Sequence, residues 1–182
     1  MKQTILTFAL VLASLTAYAA PVEFTAPEAW KKQKPTSRMR KFEYKVPRVE
    51  GDAVDAQVVV YFFGAMGGGD IESNIQRWRG QVLAQPGDPE PKRSVKTVKG
   101  LRVTTFDQVG TYTPPNFGRG PARPAQANTR IVNVVIETTE GNYFVKLMGP
   151  RKTVSANLKA LDSFVSSVKG GTPVKPTSKP VH

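Results

Sequence analysis

The chain has no cysteine and a single histidine, and its acids are outnumbered by its bases, 14 against 26. Without cysteine there is no disulfide framework, no thiolate nucleophile and no thiolate metal ligand. There is also no cysteine to lipidate behind an export signal. The one histidine is His182, the last residue. A Ser–His or Cys–His couple therefore cannot be built unless the C-terminus folds back, and a histidine pair for zinc is excluded. The expectation is no enzyme activity, no metal and no cofactor.

What is abundant is positive charge, a formal net +12. Two stretches hold most of the excess. Trp30 to Arg48 carries Lys31, Lys32, Lys34, Arg38, Arg40, Lys41, Lys45 and Arg48 against Glu43 alone. Lys92 to Arg102 carries Lys92, Arg93, Lys96, Lys99 and Arg102 with no acid. Such fields attract polyanions, although charge spread over solvated faces also serves solubility alone.

The first residues read as an export signal. Lys2 supplies a positive start, Ile5 to Leu15 is an apolar run broken by Thr7 and Ser14, and Ala17-Tyr18-Ala19 is a small-x-small cleavage pattern. The run is too short to span a bilayer. The expected organisation is a signal peptide over residues 1–19, one domain over 20–169, and a disordered proline and lysine tail over 170–182. The mature chain is expected to have no transmembrane segment and to reside in the periplasm or outside the cell.

Periodicity sets the expected elements. Phe42, Tyr44 and Val46 alternate with Lys41, Glu43 and Lys45, the period of a half-buried strand over Met39 to Val46. Gln57 to Phe63 is a continuous β-prone run. Ile71, Ile75, Trp78 and Val82 form one stripe of a three-turn helix capped by Asp70. Ser94 to Val98 and Leu101 to Phe106 flank Lys99-Gly100 as a hairpin, with an extension to Thr113 past a kink near Gly110. Pro114 to Ala127 is an irregular loop with Phe117, Arg119 and Arg123. Arg130 to Thr138 and Asn142 to Met148 form a second hairpin, and Gly149-Pro150 ends the sheet. Val154, Leu158, Leu161, Val165 and Val168 then mark a single C-terminal helix. Hairpin-linked strands with inserted helices predict α+β architecture, an antiparallel sheet packed between helices.

Candidate sites are few. Gly64 to Asp70 joins a strand to a helix, a place where phosphates bind, but it lacks the Walker lysine and Asp70 occupies the cap. Asp52 and Asp55 could contribute to a weak calcium site, and a solvated turn explains them better. Trp30 and Trp78 could stack sugars; the helix stripe accounts for Trp78. Aromatics beside bases also suit single-stranded nucleic acid, but no recognition motif is present. The contact residues this reading selects are Lys31, Lys32, Lys34, Lys92, Arg93, Lys96, Lys99, Arg119 and Arg123, with an acidic protein or an anionic envelope polymer as partner.

The segment Phe24-Thr25-Ala26-Pro27-Glu28-Ala29-Trp30 resembles the entry of small exported PsbP-like domains. The Val58 to Phe63 strand leading to a helix and the Val154 to Val168 helix are similar too. Gly64 to Gly69, Asn74 to Trp78 and Lys146 to Pro150 look like an uncharacterised subgroup of secreted bacterial proteins. The resemblance implies an α/β/α sandwich around an antiparallel sheet, and an accessory or binding role without enzyme activity. It carries no cofactor-binding residue across. The competing expectations are a hydrolase with a lysine or carboxylate site and a structural envelope protein held by Thr172 to His182.

Overall fold

The computed structural model describes residues 21–65, 67–116 and 121–175. The segment expected to be a signal peptide, Met66, Phe117, Arg119 and residues 176–182 of the tail lie outside the described residues. Among the described residues no helix is long and apolar enough to cross a membrane.

The elements in chain order are β1 (Lys31–Gln33), β2 (Arg40–Val46), β3 (Ala56–Phe62), α1 (Ile71–Arg79), β4 (Val82–Leu83), β5 (Lys92–Val98), β6 (Leu101–Tyr112), β7 (Gln126–Ile136), β8 (Tyr143–Pro150), α2 (Arg151–Ala156) and α3 (Leu158–Ser166). The strands form one eight-stranded sheet in the order β1-β2-β3-β8-β7-β6, with β4 and β5 both paired to the outer side of β6. Every pairing is antiparallel. The fold is α+β and dominated by its sheet.

Strand alternation divides the core in two. Val58, Val60, Val103, Val132, Val134, Val145 and Leu147 share a cluster with Val154, Leu161, Phe164 and Val165 of α2 and α3. Their neighbours of opposite parity, Phe106, Val135 and Phe144, cluster with Ile75 and Trp78 of α1. The N-terminal segment joins the first cluster: Phe24 stacks on Phe164 at 4.7 Å, and Thr25 N donates to Ser167 Oγ at 2.8 Å. Trp30 is buried there as well, and its Nε1 donates to Asn157 Oδ1 at 3.0 Å. That removes Trp30 from the candidates for ligand stacking.

Several boundaries differ from the sequence expectation. The C-terminal helix is broken at Asn157, whose side chain serves the Trp30 indole and donates through Nδ2 to Thr153 O at 2.8 Å. Leu161 is 4% exposed, so the expected helix phase holds. The first helix stops at Gly80, and Val82 instead pairs with Tyr112 as a short strand. β8 runs through Gly149 to Pro150, which pairs with Thr129. β1 has no apolar pattern and was not expected. The Lys99-Gly100 turn takes positive φ at both residues (48° and 84°), the left-handed pair a two-residue hairpin needs. The kink near Gly110 is a register shift between Gly110 and Tyr112. The first residues of the tail are attached: Thr172 N donates to Glu140 Oε2, and Thr172 O accepts from Thr139 N.

Candidate functional site

The two basic stretches differ in position and in what holds their charges. The first forms β1 and β2 at one edge of the sheet; the second forms β5 at the other. Six inter-strand steps separate β1 from β5, roughly 29 Å at ~4.8 Å each. They cannot make one contact patch on a short ligand.

On β5 the cations are tethered. Strand alternation sends Arg93 toward α1, where it meets Glu72 at 2.6 Å, and Lys96 toward α3, where it pairs with Asp162. Lys99 Nζ donates to the carbonyls of Ser167 and Val168 at the end of α3, favourable positions for a cation. Arg102 lies 3.6 Å from Glu137. In this stretch Lys92 and Lys99 make no ion pair among the described residues, and of the two only Lys99 is held, by those carbonyls. Exposed pairs contribute little individually, but they join the edge strand to both helices.

On the opposite edge the balance reverses. Among the described residues Lys31, Lys32, Lys34, Arg38 and Lys41 make no ion pair, while Arg40 pairs with Glu43, and Lys45 and Arg48 share Asp55. Lys31 stands directly opposite Lys45 in the β1–β2 register. A like-charged cross-strand pair is unfavourable unless solvated or met by an anion, and here Asp55 meets Lys45 at 2.8 Å while Lys31 stays in solvent. Beside it an open groove of about 550 Å³ is lined by Lys34, Lys45, Arg48, Glu43, Asp55 and Gln57 among others. The carboxylates in that groove are already engaged. Glu43, 4% exposed, accepts from Arg40 Nη1, Gln57 Nε2, Thr36 N and Thr36 Oγ1. Asp55 is held below the usual carboxylate range by its hydrogen bonds from Lys45 and the Arg48 N–H.

The remaining sequence candidates fall into structural roles. Asp52 accepts from Thr153 N at 2.8 Å and Thr153 Oγ1 at 2.6 Å in the first turn of α2, while Asp55 faces Lys45. The pair does not converge on a common point. Among the described residues no cluster of three or more potential metal ligands is present. Asp70 caps α1 through Ser73 N at 2.9 Å. The glycine loop before it is filled by protein: Asn74 Nδ2 donates to Gly68 O, and a Cβ on Gly68 would lie 2.5 Å from the Phe144 ring. Arg119 lies outside the described residues; Arg123 is exposed, and its charge acts on Tyr112.

One cationic group was missed from sequence. Lys146 of β8 reads as the polar residue of an alternating strand, yet it sits in the sheet interior, between Val59 and Asn133. Its Nζ lies 5.2 Å from the Tyr112 ring centroid. Burial, and then the charges of Arg77 and Arg40, push its pKa down from 10.5 to about 8. Only a contact map, not local pattern, could have found it. A folded-state pKa below the unfolded one means the unfolded chain holds the extra proton between those values. Stability should therefore rise with pH from about 8 and level off toward about 10. Burial raises Tyr44, Tyr61, Tyr112 and Tyr143, so above their ordinary value of 10.0 the tyrosines favour unfolding. Urea midpoints should climb over the lower part of that window in the native chain and stay flat in Lys146→Met. An equal climb in both proteins would remove Lys146 as the cause.

No known protein family matches the chain, and no characterised protein matches its sequence. Solved structures with a similar backbone include PA94 of Pseudomonas aeruginosa, a protein of unknown function, at 13% identity and a TM-score of 0.49. That match covers 87% of this chain and all of that one. Another is LpqN of Mycobacterium tuberculosis, involved in cell envelope biogenesis, at 15% identity and a TM-score of 0.46, covering 82% and 83% of the two chains.

Proposed function

We propose that this protein is an exported, non-enzymatic binding module that holds an anionic envelope polymer against its β1–β2 edge. Lys31, Lys32 and Lys34 carry the reading, because these three exposed cations lie along one edge and make no ion pair among the described residues, while Lys45 opposite Lys31 is already met by Asp55 at 2.8 Å. The strip is exposed and extended, which suits a linear polyanion better than a compact substrate. Export follows from the Lys2, Ile5–Leu15 and Ala17-Tyr18-Ala19 pattern. The helix clusters on alternate strand positions support an α/β/α sandwich of the PsbP-like kind, an architecture that by itself assigns no chemistry.

A lysine-based hydrolase is the second reading, and Lys146 is the residue that favours it. Such an enzyme needs a serine or threonine hydroxyl beside the amine. The side chains around Lys146 are instead Arg40, Arg77, Tyr112 and Asn133. An acidic protein partner would use the same edge as a polymer.

The test is chromatography of the mature domain on an anionic polysaccharide matrix. Elution above physiological ionic strength, about 0.15 M, is expected, with a steep dependence on salt. Elution below that value rejects the polymer, and selective retention on an acidic protein would transfer the edge to that partner.

A further inference from the structure

The α1 side of the sheet contains a second cationic group, which uses none of the edge lysines Lys31, Lys32 and Lys34. The registers set Val59, Lys146, Asn133 and Phe106 side by side on one face, and Arg40, Tyr61 and Phe144 in the neighbouring row. Arg77 of α1 approaches from above, bonded to Asn74 Oδ1. Tyr112 covers the Lys146 ammonium, Arg40 lies 5.6 Å from the Tyr61 ring centroid, and Arg123 acts on Tyr112 from the loop. These are the charged and titratable groups that face Lys146, together with Glu43.

All fourteen acidic side chains belong to described residues, so the counter-ions can be accounted for. Glu43, the nearby acid, is engaged by Arg40, Gln57 and Thr36. Neither Lys146 nor Arg77 makes an ion pair among the described residues. Beside them Asn133 is 2% exposed, and its Nδ2 donor has no acceptor. A half-buried cation with no counter-ion and a buried donor with no acceptor, adjacent in register, are two separate deficits with one remedy. Lys146, Arg77 and Arg40 less Glu43 leave two positive charges. That balance matches a phosphate dianion and exceeds a single carboxylate. Guanidinium forks, an ammonium and an amide N–H are also the donors phosphate oxygens take.

We propose that Lys146, Arg77 and Arg40, with the Asn133 amide, form a binding site for one phosphate dianion, free or as the terminus of a small monoester. The site takes Arg40 from β2 but none of the edge lysines Lys31, Lys32 and Lys34, and does not depend on their function.

The test is calorimetric titration of the mature protein at neutral pH with inorganic phosphate and, separately, glycerol 1-phosphate. Sodium chloride at matched ionic strength is the control. Saturable one-to-one binding of either phosphate is expected, with the tighter one identifying the source as free or esterified. Arg77→Gln, at an exposed helix position, should weaken binding about tenfold or more, and Lys146→Met should abolish it. Asn133→Leu should weaken binding while raising the thermal midpoint, because it removes the orphan donor. A purely structural Asn133 would lower the midpoint instead. A variant with Lys31, Lys32 and Lys34 changed to Gln should bind phosphate as the native chain does. No heat with either phosphate, the same heat with sodium chloride, or binding unchanged in Arg77→Gln would each overturn the site. Arg77→Gln keeps the test decisive even where Lys146→Met fails to fold.

Discussion

Phe164→Ala should destabilise the domain by about 3–5 kcal/mol. The ring is fully buried and touches three other aromatics: Phe24 stacked at 4.7 Å, Trp30 at 5.4 Å and Tyr44 at 5.7 Å. Those contacts join α3 to β2 and to the N-terminal segment, so the cavity opens where three parts of the chain meet. The neighbours cannot collapse into it easily, because Trp30 is fixed by Asn157 and Thr25 by Ser167. The thermal midpoint should fall by roughly 10 °C for a domain of this size. Limited proteolysis should cut first between Val22 and Trp30. A loss under about 1 kcal/mol would mean the N-terminal segment adds nothing to the core.

Glu43→Ala should cost about 3 kcal/mol, the second large effect. Its carboxylate is nearly inaccessible and accepts four hydrogen bonds, two of them from Thr36 in the connection between β1 and β2. Removing it leaves the Arg40 guanidinium beside the sheet without its partner and leaves Gln57 Nε2 without its acceptor. The Arg40 side chain keeps 28% exposure, which holds the cost to the lower end of the range for broken buried pairs. Arg40→Met should cost less, since Glu43 retains three donors. Denaturant midpoints of the two variants decide the point, and equal losses would show that the pair acts only as a unit.

The elements legible in the sequence were those whose pattern is local. The Val58 to Phe62 run, the Lys99-Gly100 turn and the Asp70 cap each follow from neighbouring residues, and each stands where expected. Long-range contacts set the rest. The apolar stripe through Leu158 and Leu161 reads as one helix; Asn157, where it breaks, accepts from an indole 127 residues away. Val82 fits the stripe of α1 but is claimed by Tyr112 of β6. Lys31–Gln33 becomes a strand only because β2 offers an open edge. The same distinction runs through the charges. Lys96 and Lys31 look equivalent in composition, and the acids that separate them come from distant elements, Asp162 for Lys96 and none for Lys31. Lys146 was hidden for the same reason, since strand alternation does not show that α1 and Tyr112 cover its face.

The central claim is that positive charge at the β1–β2 edge binds, while positive charge on β5 supports the fold. Two variants with the same net charge isolate location from charge. One replaces Lys31, Lys32 and Lys34 with Gln; the other replaces Lys92, Lys96 and Lys99 with Gln. The measurement is the salt concentration at which each elutes from an anionic polysaccharide matrix. The edge variant should elute well below the native protein, and the β5 variant should elute with the native protein while melting at a lower temperature. Equal shifts for both variants would contradict the claim, because binding would then follow net charge and not the edge.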